Sequence, residues 1–181
     1  MERIKRIKHL KSFAAAVLAA VVMTFPSCGS DEPQIKIMEY ETPIAKFVSA
    51  YNKEDEKTLL NCFTPAAADE FSESGQSLYS SLKSSTERQT DGRSLIYYTL
   101  GGKEELSEDD IASLKEEYSS EYGKRLDIKK AYKLSVTFSA ATGGYCSDMD
   151  IVTVKADSGW FIYGDVITSL ELQATFSESS E

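Results

Sequence analysis

Three cysteines and a single histidine carry most of the nucleophilic and metal-binding capacity open to this 181-residue chain, and their placement is restrictive. His9 stands in a basic amino-terminal stretch with Arg3, Lys5, Arg6, Lys8 and Lys11, and no imidazole follows it. The remainder therefore lacks the residue on which Ser-His-Asp and Cys-His nucleophiles, His general bases and nearly all usual zinc sites depend. A Gly-rich phosphate loop, a Cys-x-x-Cys pair, a calcium loop and a Gly-x-Ser-x-Gly elbow are missing as well. No metal site and no cofactor is expected. Cys62 and Cys146 are lone thiols far apart in sequence. In an oxidising compartment they could be bonded to each other; alternatively each is a buried small apolar residue, which the helical setting of Cys62 beside Phe63 favours.

Cys28 has a different context. The basic stretch leads into an apolar run from Phe13 to Phe25, 13 residues long, where a spanning helix needs roughly 20. Phe25-Pro26-Ser27-Cys28-Gly29 follows. This order resembles a bacterial lipoprotein signal peptide with its lipobox, small residues flanking the cysteine and Phe25 standing where that family favours Leu. The resemblance implies export, cleavage before Cys28 and acylation of its thiol, with anchoring of about 0.8 kcal/mol per buried methylene. The implied location is the extracytoplasmic face of a cell membrane. An ordinary secretory signal and an uncleaved anchor are the alternatives for this segment.

Cleavage of residues 1–27 from 181 leaves 154, enough for one domain with a sizeable core. It also removes five Lys/Arg and one Glu, taking the formal charge from −9 to −13. So acidic a body disfavours nucleic acid and anionic head groups, which both demand cationic patches. The clustered bases Lys124-Arg125 and Lys129-Lys130 read as decoration of a solvated strand edge.

The elements that must position any site follow from hydrophobic spacing. Residues 28–40 read as the lipidated cysteine and a flexible tether, 41–170 as one domain and 171–181 as a disordered acidic tail. Thr42-Pro43 opens a helix whose apolar face is Ile44, Phe47, Val48 and Tyr51. A break at Asn52 to Asp55 precedes a short helix with Leu59, Leu60 and Phe63, stopped at Thr64-Pro65. A third helix is expected from Ala66 toward Arg88, with Phe71, Gly75, Leu78, Tyr79 and Leu82 inward. Ser94 to Leu100 is expected as a strand turned by Gly101-Gly102, and Ser107 with Asp110 as a capping box. The helix so opened carries Ile111, Leu114, Tyr118 and Tyr122, and Gly123 ends it. The period then becomes two: Leu126, Ile128, Tyr132, Leu134, Val136, Phe138 and Ala140 share one face of a long strand. Strands at Cys146 to Lys155 and from Trp160 through Ile167 follow, joined at Asp157-Ser158-Gly159. Helices first and an antiparallel meander afterwards predict an α+β fold, the helices on one sheet face.

Several stretches carry a further resemblance: Thr42 to Asn52, then Asp55 through Phe63-Thr64-Pro65, then Val152 to Ile162 with its Gly159-Trp160 hairpin. Their order is similar to the nuclear-transport-factor-2-like fold, a cone of helices over a curved sheet. Enzymes of that fold, such as polyketide cyclases and ketosteroid isomerases, place an Asp, His or Tyr inside the cone. The resemblance makes Asp148, Asp150 and Asp165 candidate acids or bases, with Tyr97, Tyr98, Tyr132 and Tyr163 beside them. Asp148 and Asp150 alternate with Met149 and Ile151 as an outward strand face does, and strand tyrosines usually pack. The expectation is accordingly not an enzyme but a binding module at the cell envelope, with Tyr97, Tyr132, Tyr163 and Asp165 lining an apolar mouth. The alternatives are an assembly module that pairs two copies through the sheet, because both faces of the last strand are apolar, and a histidine-free enzyme using Asp165 or a tyrosine. The partners implied are the membrane, through Cys28, and a second copy or an envelope protein; nucleic acid is not among them.

Overall fold

The computed structural model describes residues 37–89, 95–140 and 146–164. Cys28 and Asp165, and with them the segments expected as a signal peptide and as an acidic tail, lie outside the described residues. The architecture is α+β: a four-stranded antiparallel sheet in the order β1-β2-β3-β4, open rather than closed into a barrel.

The helices form where the apolar spacing demands them. Helix α1 (Thr42–Asn52) buries Ile44, Phe47, Val48 and Tyr51 on one stripe, each worth about 1.5–3 kcal/mol when fully withdrawn from water. Asp55 caps the short α2 (Glu56–Leu60), its side chain accepting the Thr58 N–H at 3.1 Å. The expected third helix is two helices, α3 (Pro65–Glu73) and α4 (Leu78–Gln89). Gly75 stands between them at φ +69°, a left-handed conformation that a side chain resists, so it breaks the helix instead of facing its core. A second cause is Glu56, whose carboxylate accepts the Leu78 and Tyr79 N–H groups at 2.6 and 2.7 Å and so starts α4 afresh.

Strand β1 (Ile96–Glu105) corrects another expectation. It runs straight through Gly101-Gly102, where the register to β2 shifts between Leu100 and Gly102. The pair is a β-bulge, not a turn, because β2 (Lys130–Ala140) is long enough to keep pairing beyond it. The extra residue moves Lys103 and Glu105 onto the face shared by Leu134 and Tyr132, their partners across the ladder. Strand β2 starts at Lys130, so Leu126 and Ile128 precede it. Strands β3 (Cys146–Ala156) and β4 (Gly159–Tyr163) complete the meander, and Gly159 at φ +142° re-enters the ladder after Asp157 and Ser158.

Helices cover both faces of the sheet, contrary to the single-face expectation. The larger core joins α1 to α4 with Leu134, Val136, Phe138, Met149, Ile151 and Ile162. On the opposite face α5 (Glu108–Tyr122) packs Ile111 and Leu114 against Ile128, Ala131, Val154, Phe161 and Tyr163. The far side of β4, which motivated pairing of two copies, is thus occupied by this chain's own α5. The predicted capping box forms, with Ser107 Oγ and Asp110 bonded reciprocally, and Gly123 ends α5 in the left-handed conformation. Beyond β4, the Ile162 N–H donates to Cys62 O at 2.7 Å and the Thr64 N–H to Ile162 O at 3.2 Å, so a short segment shields that sheet edge. Tyr118, buried on α5, accepts the Ala66 N–H at 2.9 Å and satisfies the start of α3.

The same register separates the two cysteines along the backbone. Cys62 lies beside Ile162, which pairs with Thr153, whereas Cys146 is seven positions back along β3. Seven strand residues span roughly 23 Å, against a disulfide's Cα separation of about 4.4–6.8 Å. Cys62 is a free, buried thiol donating to Thr58 O at 3.1 Å, and the bonded alternative is not formed.

Candidate functional site

Down β2 the alternate residues Phe138, Val136 and Leu134 are buried beneath the helices, and Tyr132 comes next, half-buried. There the 3-10 turn Glu39–Glu41 lies against the sheet and supplies Tyr40, whose ring centroid is 4.9 Å from that of Tyr132. Trp160 of β4 flanks Tyr132 on the other side at 5.8 Å. The rings are tilted by 41° and 34°, forming a ridged lip rather than a flat platform. Residues 39 and 40, expected in the tether, belong to the folded body because these contacts hold them.

Charge is arranged around the rings. Lys103 Nζ sits 4.9 Å from the Tyr40 centroid and 5.5 Å from that of Tyr132, positions that favour a cation over the ring faces. Lys155 Nζ lies 5.8 Å from the Trp160 ring and 3.3 Å from Glu39 Oε2, to which Trp160 Nε1 also donates at 3.4 Å. These hydrogen bonds, Lys155 first and Trp160 second, hold the exposed Glu39 carboxyl below its ordinary range.

Behind the lip is a buried acid. Glu41 is 9% exposed and accepts the Met38 N–H at 3.3 Å; burial pushes its carboxyl above the ordinary range against that hydrogen bond and the Lys103 charge. Tyr98 is buried on β1, and among the described residues its hydroxyl has no hydrogen-bond partner. Burial, with Glu41 adding, pushes it up to about 12.

Of the residues singled out from sequence, the structure brings Tyr132 into the lip and Tyr98 behind it. Tyr97 is 39% exposed on the opposite face of β1. Tyr163 also faces away, donating its hydroxyl to Leu114 O at 2.7 Å, and burial raises it further from ionisation. The expected mouth of Tyr97, Tyr132 and Tyr163 does not converge, because residues on the two pleat faces cannot meet; Asp165 lies outside the described residues. Asp148 and Asp150 are exposed on the far face, accepting from Thr137 at 2.5 Å and Ser135 at 2.9 Å. Among the described residues no group of three or more His, Cys, Asp or Glu is placed to hold a metal ion. Cys62 is inert, its thiol pushed up to about 12 by burial.

Sequence reasoning missed Glu39, Tyr40, Glu41 and Lys103. Tyr40 carried a usable signal, an aromatic immediately before a helix start, where an N-terminal residue often packs back. Lys103 carried none while Gly101-Gly102 read as a turn. No family model matches the chain, and no curated protein and no solved structure is significantly similar to it.

Proposed function

We propose that this chain is an exported protein held by acyl chains on Cys28 to the extracytoplasmic face of a cell membrane, where its domain binds without catalysis. Its fold is a variant of the nuclear-transport-factor-2-like cone, with α1 to α4 over the concave sheet face and α5 added on the other. The binding surface is the lip of Tyr40, Tyr132 and Trp160 with Lys103 and Lys155. One observation carries this reading: Tyr40, in the first turn of the described domain, meets Tyr132, which Trp160 flanks on its other side.

The interior chemistry supports contact over bond-making. Tyr98 and Cys62, each pushed up to about 12, stay protonated near neutral pH, and neither acts as a base or nucleophile in that state. Pairing of two copies through β4 has lost its motive, since α5 packs on Phe161 and Tyr163.

A photo-reactive residue introduced at Tyr40, and separately at Tyr97 as a control on the other face, tests the reading in intact cells. Cross-linked adducts are expected from position 40 and not from 97. Equal yields, or none at 40, would reject the lip as the contact surface.

A further inference from the structure

We infer that the partner of this lip is the bilayer itself: its zwitterionic phospholipid interface, with Ile37, Met38 and Trp160 seated at the boundary between head groups and acyl chains. The inference rests on the acylation of Cys28 proposed above.

Among the described residues the exposed large hydrophobics are Ile37 at 39%, Met38 at 43%, Leu95 and Tyr97. Two of these four immediately precede the 3-10 turn that carries Tyr40, so the segment that bears the lip begins with partly exposed apolar side chains. Rings with a polar tip, joined to lysine ammoniums on apolar stems, are the side chains that suit a membrane–water interface. Here the indole N–H of Trp160 and the Lys103 and Lys155 ammoniums stand around the rings.

Reach selects the same end of the molecule. Eight residues lie between Cys28 and Ile37, so Ile37 is nine steps along the chain, a reach of at most about 32 Å. An acylated Cys28 therefore confines Ile37 to a thin layer above the bilayer. In that layer even a small apolar surface finds the interface at high effective concentration. Charge selects the lipid. Lys103, Lys130 and Lys155 share the face with Glu39 and Glu105, so the lip is close to neutral on a body that is strongly acidic. Such a surface fits the paired phosphate and ammonium of a zwitterionic head group, and an anionic membrane would repel the remainder of the domain.

Trp160 is the sole tryptophan, which makes its emission a native reporter. The full acylated protein, purified from membranes, is reconstituted into phosphatidylethanolamine–phosphatidylcholine vesicles. With phosphatidylcholine brominated on its upper acyl carbons, the emission is expected to fall at least about twofold, while quenching by aqueous acrylamide weakens. The Ile37→Ser/Met38→Ser double variant, altered only at exposed side chains, is expected to lose most of the bromolipid effect with an unchanged circular dichroism spectrum. Raising the phosphatidylglycerol content is expected to reduce it.

Emission from the anchored protein that ignores bromolipid and stays fully open to acrylamide would overturn the inference. So would quenching that strengthens with phosphatidylglycerol, or shielding seen in native membranes but absent from pure lipid, which would mark a protein partner. Intact mass of the same sample keeps the two readings apart. An unacylated Cys28 sinks the anchor, whereas an acylated protein with an unquenched Trp160 sinks only the docking.

Discussion

At Glu41 burial and hydrogen bonding act in opposite directions, and burial prevails. The carboxyl, ordinarily near 4.5, is raised in the folded protein. The folded state therefore binds a proton more tightly than the unfolded chain. That stabilisation is complete below about pH 4.5 and is lost as pH rises through the folded value. Glu41→Gln keeps an oxygen for the Met38 N–H and removes the charge. The variant is expected to unfold at higher urea concentration than the parent at neutral pH, the two curves converging as pH falls below 4.5. A parent that is equally stable relative to the variant at all pH values would show that Glu41 is not desolvated. Glu56 works in the other sense, as a carboxylate placed to serve a backbone: it accepts Leu78 and Tyr79 N–H groups and the Ser77 hydroxyl. Glu56→Ala is expected to cost about 1–2 kcal/mol in urea unfolding, with amide exchange in α4 accelerated more than elsewhere.

At the scale of elements, joints decide which faces are available. Gly75 separates α3 from α4 at φ +69°, and a Cβ there would meet nothing within 4 Å. The penalty of Gly75→Ala is therefore one of backbone alone, about 1 kcal/mol, readable as a lowered thermal midpoint with no change in helix content. Tyr118 ties α5 to the start of α3 by accepting the buried Ala66 N–H. Tyr118→Phe keeps the ring packing against Tyr122 and Tyr163 but orphans that donor, for an expected loss of about 1–3 kcal/mol by chemical denaturation. A near-neutral result would mean that water replaces the hydroxyl. The Gly101-Gly102 bulge has the largest consequence for the aromatic cluster, since it turns Lys103 toward Tyr40 and Tyr132.

For the whole molecule, helices pack on both faces of the sheet, and among the described residues two surface regions stand beside them. They differ in kind. One carries Ser135, Thr137, Asp148 and Asp150 bonded to each other in solvent; the other carries the aromatic lip beside the chain entry. The proposed anchor predicts a simple partition: the parent enters the detergent-rich phase of Triton X-114, and Cys28→Ser moves to the aqueous phase with its fold intact. Detergent-phase recovery of the serine variant would show that something other than acylation holds the protein.

How much was legible beforehand follows the range of each interaction. Helix α1, the Ser107–Asp110 cap, the Gly123 stop and the β3–β4 hairpin were readable because each is set within a few residues by periodicity, capping or turn geometry. The absence of imidazole after His9 was likewise a question of which residues are present and in what order. What only the tertiary structure decided involves partners distant along the chain: the bulge that puts Lys103 on the face of Tyr132, the remote Glu56 cap, α5 on the opposite sheet face, and the meeting of Tyr40, Tyr132 and Trp160. Local preferences specify which elements form. Which face of the pleat a residue takes depends on strand register, and a single inserted residue reverses it, so the composition of the site emerged only with the paired sheet.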